Sequence, residues 1–253
     1  MSRLSAVVIA FNEEKRIADC LRSLQPLADE ILLVDSGSTD RTVEIAKSLN
    51  ARVLYHPFEG HVQQKNFAMQ QASFDWVLSL DADEVLSKEL QASILNIKEK
   101  GFNNMAYSFN RLNNYCGTWL KHGGWYPDRK IRLWHRSVGH WGGLNPHDQV
   151  ILQKGVEAER LAGDLLHYTY DSVEAHLQQM DRFARISAQA YFERGKRTHT
   201  LEVWLNPVFS FVRDYVLRAG FLDGRAGWTA NRIAMRYQYW KYKHLLHLQK
   251  AKR

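Results

Sequence analysis

The chain has 253 residues, 45% of them hydrophobic, enough for one large α/β domain or a domain with an appendage. Two cysteines, Cys20 and Cys116, with no Cys-x-x-Cys and no His/Cys cluster, argue against a disulfide framework or a structural zinc site and fit a reducing, cytosolic setting. The formal charge of +7 is uneven, because residues 194–253 carry 13 Lys/Arg against 3 Asp/Glu while the rest of the chain is slightly acidic. Such a basic tail suits a polyanionic surface, nucleic acid or anionic membrane. No stretch approaches 18 continuous apolar residues, and the opening MSRLSAVVIAFNEE lacks the small-residue cleavage site of a signal peptide.

In chain order, 4–10 (LSAVVIA) is apolar and β-branched and predicts a buried strand. It runs into Phe11-Asn12-Glu13-Glu14, a polar turn that opens an amphipathic helix with Ile17, Leu21 and Leu24 at helical spacing, closed by Pro26. Residues 30–34 predict a second strand, ending in Asp35-Ser36-Gly37-Ser38-Thr39-Asp40. Ser38 or Thr39 is placed to cap the next helix, whose face carries Val43, Ala46 and Leu49. Residues 52–55 read as a third strand and 61–72 as a helix containing Lys65 and Asn66. A fourth apolar strand, 76–80, then ends abruptly in Asp81-Ala82-Asp83-Glu84. Carboxylates this close repel one another, a cost that a cation must offset. Oxygen ligands at a strand end suit Mg²⁺ or Mn²⁺ held together with substrate phosphates. A solvated acidic turn is the plain alternative, since Asp-x-Asp is a short motif.

Strand–helix alternation at this rhythm predicts a parallel, Rossmann-like sheet with right-handed crossovers, which binds ligands at the carboxyl ends of its strands. The turns carry no Gly-x-Gly-x-x-Gly and no Walker A lysine, which argues against NAD, FAD and P-loop chemistry. Two strands instead end in carboxylates, Asp35 and then Asp81 and Asp83, which suit a base N–H, a ribose diol or a metal. After a helix at 87–99 and a strand at 105–112, residues 113–143 form a loop-rich stretch of Gly, Trp, His and Arg, suited to an acceptor that has sugar rings and phosphates. Of Trp119, Trp125, Trp134 and Trp141, at least two are expected in the core. Residues 172–194 are strongly helical and 201–221 apolar and aromatic; a break follows at 220–224, and 228–250 is a basic aromatic helix. That last helix suits an interface with anionic lipid, or else packs on the body with its cations in water.

The order Val8-Ile9-Ala10-Phe11-Asn12-Glu13, Leu33-Val34-Asp35-Ser36-Gly37-Ser38-Thr39-Asp40 and Leu80-Asp81-Ala82-Asp83-Glu84 resembles the family-2 inverting glycosyltransferases with the GT-A fold, over roughly residues 4–150. Trp125-Tyr126-Pro127-Asp128, Arg132-Leu133, His147-Asp148 and 220–224 (GFLDG) resemble the subgroup of lipopolysaccharide-core β-glucosyltransferases. The resemblance implies a GT-A catalytic domain over residues 1–170, with 1–100 for the nucleotide sugar and 101–170 for the acceptor, while the basic, aromatic composition of 171–253 predicts a helical, membrane-associating region. It also implies a UDP-sugar donor, glucose in this subgroup, and a glycolipid acceptor such as the lipopolysaccharide inner core. The enzyme would work from the cytoplasmic face, peripheral on an anionic membrane.

By position, Ala10, Phe11, Glu13, Asp35 and Ser36 would hold the nucleoside, Asp81 and Ala82 would lie near the ribose, and Asp83 would bind Mg²⁺ or Mn²⁺. Lys65 would neutralise phosphate, unless it is an ordinary surface lysine. Inversion needs one base to deprotonate the acceptor hydroxyl. Asp148 is the first candidate, where the subgroup has Glu after the His; Asp128 is its rival, unless it pairs with Arg129 or Arg132. A non-catalytic nucleotide-sugar-binding scaffold is the alternative function. A nucleic-acid-binding protein ranks below both, since the positive charge is confined to the tail.

Overall fold

The computed structural model describes residues 2–144 and 147–251, with only the backbone of Leu144 and His147. Contacts divide the chain into two compact units: residues 1–111 with 128–167, and residues 112–127 with 168–253.

The first unit begins with the four expected strands, β1 (Leu4–Ala10), β2 (Glu30–Asp35), β3 (Arg52–Tyr55) and β4 (Trp76–Asp81), paired in parallel in the order β3-β2-β1-β4. Their apolar runs are continuous because both faces of the sheet are covered. Leu4, Ala6, Val8, Leu33, Leu78 and Leu80 pack with Ile17, Leu21 and Leu24 of α1 (Ile17–Leu24). The alternate residues Val7, Leu32, Val34 and Val77 pack with Ala68 and Met69 of α3 (His61–Gln70). The register sets Ala10 opposite Asp35 and Ile9 opposite Asp81, so the carboxyl ends of three strands finish at one level.

At the start of α2 (Thr42–Ser48) the side chain that binds the first helical residue is Asp40, and the Ser38 or Thr39 cap that the sequence suggested is not made. The Asp40 Oδ1 accepts from the Thr42 N–H at 3.0 Å and from its hydroxyl at 2.5 Å. Ser38 is engaged elsewhere, donating to Asp35 at 2.5 Å and accepting from the Asn12 N–H at 2.8 Å. The helix expected at 87–99 is α4 (Lys88–Glu99), and Ser87 caps it by accepting from the Leu90 N–H.

Beyond β4 the sheet stops being parallel. It continues through β8 (Asp128–His135), β6 (Ala106–Tyr115), β11 (Glu159–Tyr170) and β5 (Glu84–Leu86), with β4–β8, β6–β8 and β11–β5 antiparallel. A separate hairpin joins β9 (Gly139–Leu144) to β10 (His147–Leu152). Much of the segment expected to be loops is therefore strand. Its Gly-rich, aromatic composition hides two local pairings, β7 (Thr118–Leu120) with the end of β6 and β9 with β10, and the more distant ones that β8 makes with β4 and β6. Trp134 and Trp141 are buried and Trp119 and Trp125 half-buried, so two of the four tryptophans are core.

The second unit holds β7 (Thr118–Leu120), paired with the end of β6, and three helices. Helix α5 (Val173–Glu193) and α6 (Thr200–Phe211) both pack on α7 (Gly224–Ala251). A π-helical turn at Val212–Leu217 and a 3₁₀ turn at Gly220–Asp223 connect α6 to α7. The Gly-Phe-Leu-Asp-Gly motif serves this corner. A Cβ on Gly227 would lie 2.2 Å from the Gly220 carbonyl oxygen, so backbone meets backbone there. Asp223 in turn accepts from the Lys121 and His122 N–H groups at 3.1 and 2.9 Å, fixing the 121–124 loop.

Candidate active site

The carboxyl ends of β1, β2 and β4 bring together most of the residues singled out in the sequence. Ala10 is buried at the end of β1, while Phe11 projects into solvent at 58% exposure. Asn12 takes a left-handed backbone (φ 56°), and its side chain accepts from the Thr39 N–H at 2.8 Å. The Glu13 N–H donates to Thr42 Oγ1 at 2.7 Å. These bonds tie the turn after β1 to the turn after β2. Asp35 is 5% exposed, and its Oδ2 accepts from the Gly37 and Ser38 N–H groups at 2.9 Å each, which stiffens the second turn. Ser36 donates its N–H to the Ala10 carbonyl and accepts from Gln64 Nε2, both at 3.0 Å.

Lys65 is not a surface residue. Only 2% exposed on α3, it reaches Asp148 Oδ2 at 2.7 Å and the two Asp81 oxygens at 2.9 and 3.0 Å. Trp141 lies beneath it, 4.4 Å from ammonium to ring centre, and Arg132 sits 5.1 Å over the same ring. Asn66, the next residue of α3, fixes Trp141 by accepting from its N–H at 3.0 Å and donating to its carbonyl at 2.8 Å. One helix therefore supplies both the cation and the clamp that seats it.

The three carboxylates of the Asp-Ala-Asp-Glu run have separate fates. Asp81 takes Lys65 and, at 3.3 Å, Arg132. Burial alone would raise its carboxyl, but the charges of Lys65 and Arg132 outweigh that and hold it well below the usual carboxylate range. Ala82 is buried in the turn. Asp83 turns the other way and meets His167 Nε2 of β11 at 3.2 Å, because β11 pairs His167 opposite Glu84 on β5. Glu84 is fully buried, bound to Arg132 at 2.7 Å, and accepts the Asp81 N–H at 3.0 Å. Burial works against the charge on Arg132, but Glu84, Asp81 and Asp148 more than restore it, and its pKa stands above the ordinary arginine value.

Asp128 is committed to Arg111 at 2.8 Å and Lys130 at 2.9 Å, instead of the Arg129 or Arg132 suggested by the sequence. The side chain of His147 lies outside the described residues. A cleft of about 390 Å³ is lined by Lys65, Asp81, Arg129, Arg132, Trp141 and Asp148 among others, so Asp148 and Asp81 face one space across a shared lysine. No group of three or more His, Cys, Asp or Glu side chains is arranged for a metal among the described residues. Asp83 and His167 offer one carboxylate oxygen and one imidazole nitrogen. A divalent cation held there would need its remaining ligands from water and phosphate oxygens, and the carboxylate suits Mg²⁺ or Mn²⁺.

Sequence reasoning did not reach the roles of Arg132, Glu84 and His167. Arg132 stands in β8 and His167 in β11, and only sheet pairing brings them to β4 and β5. A charged residue inside an otherwise apolar strand, such as Arg132 in Ile131-Arg132-Leu133, is the signal that was available.

The profile described as "Glycosyl transferase family 2" matches residues 5–156. The chain is similar to an uncharacterized glycosyltransferase of Rickettsia typhi, 32% identical over 92% of this chain and 83% of that protein. It is also similar to the lipopolysaccharide core biosynthesis glycosyltransferase LpsC of Rhizobium meliloti, 28% identical over 88% of this chain and 87% of that one. Among solved structures, glucosyl-3-phosphoglycerate synthase from Mycobacterium tuberculosis, in complex with Mn²⁺ and UDP-glucose, matches at 25% identity with a TM-score of 0.37. That match covers 45% of this chain and 44% of the other, less than half of either.

Proposed function

The chain belongs to glycosyl transferase family 2, and from that premise we propose that it transfers glucose from UDP-glucose, with inversion, to a glycolipid acceptor such as the lipopolysaccharide inner core. The observation that carries this reading is Lys65, which joins Asp81, at the end of a nucleotide-type strand, to Asp148 inside one cleft. A sugar donor and an acceptor hydroxyl need that adjacency: the donor held at the strand ends, and a carboxylate beside it to take the hydroxyl proton. The similarity to LpsC supports the glycolipid acceptor, since that protein is named for lipopolysaccharide core biosynthesis.

In this reading the Ala10–Glu13 turn and Asp35 hold the nucleoside, and Asp81 orients the ribose while Lys65 and Arg132 keep it ionised. Asp83 and His167 would hold a divalent cation, which supplies positive charge to the departing nucleoside diphosphate. Lys65, Arg129, Lys130 and Arg132 line the cleft with cations that suit the diphosphate or the acid groups of an acceptor. Asp148 accepts the acceptor proton. Asp128 is the lesser candidate because both its oxygens are engaged by cations.

A binding scaffold without chemistry is favoured by one observation, that each candidate base is already ion-paired. Calorimetric titration with UDP-glucose, in Mn²⁺ and then in EDTA, comes first, followed by an assay for anomerically inverted product. The proposed enzyme binds the donor only with metal and turns over; Asp83→Asn removes both the metal effect and the turnover. Metal-dependent binding without any transfer moves the protein to the scaffold, and no affinity for any nucleotide sugar overturns the reading altogether.

A further inference from the structure

Helix α6 is built inside out. Its inward positions, Val203, Pro207 and Ser210, continued by Asp214 in the π-helical turn, are small or polar. Its outward positions are large and apolar: Leu201 is 66% exposed, Trp204 60%, Leu205 54%, Val208 50% and Phe209 66%, and Leu217 beyond them 74%. A helix on a water-facing surface has the opposite pattern, and a contiguous apolar face of this extent marks an interaction site. The face ends in an aromatic group in which Phe211, Tyr215 and Trp228 contact one another at 5.0–5.5 Å between ring centres.

We propose that this face of α6 inserts into an anionic bilayer, the helix lying in the plane of the interface. The charges around it select that occupant. Exposed Arg194, Lys196, Arg197 and Arg225 flank the apolar face in sequence, and Arg213 and Arg218, which share the single carboxylate of Asp214, add a net positive charge with 41% and 54% of their side chains in solvent. The acid at the start of the helix, Glu202, is engaged by Thr198 and His199. A second copy of the chain would bring two strongly basic regions together, since residues 194–253 hold 13 Lys/Arg against 3 Asp/Glu. Anionic headgroups match both the apolar face and its cationic border. Trp204 and Trp228 suit the headgroup boundary, where an amphipathic ring satisfies both phases. No helix is long and apolar enough to cross a membrane among the described residues, so α6 lies on the bilayer and does not span it.

Helix α7 contributes charge more than insertion. It packs on α5 and α6, and several of its cations rest on its own rings, Arg236 over Trp240 at 4.3 Å and Lys243 over Tyr239 at 5.5 Å. As a device for reaching a lipid-linked acceptor the inference rests on the function proposed above, so vesicle binding and sugar transfer are measured separately and either can fail alone.

The test uses the full chain with vesicles of phosphatidylglycerol and phosphatidylethanolamine, and compares wild type with the double variant Leu205→Glu, Phe209→Glu. Both side chains are exposed, so circular dichroism and thermal melting should match wild type. Co-sedimentation should weaken about a hundredfold in the variant, as two large apolar groups are withdrawn from lipid. Wild-type binding should survive in part in ~1 M salt, where the Debye length is about 3 Å. In vesicles of brominated lipid, tryptophan emission should be quenched in wild type and not in Trp204→Phe, Trp228→Phe. Full retention of binding by the double variant, or its complete loss in salt, overturns insertion by α6. A lipid-free dimer that the double variant splits, with no vesicle binding by wild type, assigns the face to a second copy instead. If vesicle binding behaves as stated while no sugar moves to any acceptor, the surface stands and the proposed reaction falls.

Discussion

The first unit keeps Lys65, Glu84 and Arg132 at 3% exposure or less, whereas the second leaves Leu201, Phe209 and Leu217 at 66% or more. Charge taken out of water costs several kcal/mol per ion unless it is paired, and apolar surface left in water forgoes about 25 cal/mol for each Å². Neither arrangement is what folding alone would select. Departures of this kind concentrate where a protein binds something, because the ligand completes what the fold leaves undone. On the two proposals above, the partner of the first unit is anionic and held by cations, and that of the second is apolar with an anionic border.

The units also treat buried titratable groups differently. Around the cleft such groups stay charged and are matched, Asp81 against Lys65 and Arg132. The second unit also pairs a buried charge, Asp214 with Arg213 and Arg218, but it holds in addition a buried aromatic cluster that stays neutral. His176 is 1% exposed, stacked on Tyr170 at 4.2 Å between ring centres and hydrogen-bonded to the Tyr115 hydroxyl at 3.1 Å. Burial lowers its imidazole to about 4 and pushes the Tyr170 hydroxyl up to about 12.

The largest effect that would sharpen this contrast is on the reaction. Asp148→Asn should lower the rate of transfer by about 10²–10⁴-fold while leaving UDP-glucose and Mn²⁺ binding near wild type, read by steady-state assay and calorimetry. Near-normal transfer in that variant, with loss in Asp128→Asn, would give the role to Asp128. Next in size is stability. Arg132→Met leaves Glu84 buried beside Asp81 without its close cation and should cost about 3–5 kcal/mol in urea unfolding. Adding Glu84→Gln, which keeps an acceptor for the Asp81 N–H, should recover part of that loss. A cost of Arg132→Met below about 1 kcal/mol would mean that the cleft is wetter than its geometry implies, and would break the contrast.

A smaller effect follows from His176. Its folded value lies below the 6.5 of the free side chain, so between about pH 6.5 and 4 the unfolded chain binds more protons. The stability from its burial is therefore full above pH 6.5 and declines as pH falls through that window. Unfolding free energy should drop by about 1 kcal/mol over the first unit below pH 6.5, before carboxylates titrate, and His176→Gln should flatten that slope. An equal slope in both proteins would place the titrating group elsewhere. Smallest of all, Leu205→Gln should change stability in water by no more than about 0.5 kcal/mol, since the side chain touches mainly solvent. A larger loss would mean that α6 already buries this face.

Much of the first half of the fold was legible because it rests on local signals. Apolar β-branched runs at 4–10, 30–34 and 76–80 form strands whatever surrounds them, and Ile17, Leu21 and Leu24 describe a helix face within eight residues. The candidate site was legible in part for a related reason. Asp35 and Asp81 terminate such strands, and parallel pairing then puts them at one level. Asp148 and Lys65 could be named singly, but their contact could not, since 83 positions separate them and no local pattern encodes the join. Strands β7 to β10 were missed because they are short or interrupted by charged residues and glycines and so show weak periodicity, and β8 further owes its place to partners far along the chain. The inverted face of α6 was equally hidden, because a sequence shows an apolar stripe and never says which side of it meets protein.

The sequence by itself determined the parallel nucleotide-type strands and the identity of the acidic groups at their ends, since these follow from short windows, and its three ordered motifs carried the resemblance to the family. Tertiary structure alone decided that Lys65 is buried between two carboxylates, that Asp83 meets His167 and not its own neighbours, and that α6 turns its large apolar residues outward. The physical reason is the same in each case. Burial, charge pairing and exposure belong to the space around a side chain, and that space is filled by residues distant in the chain.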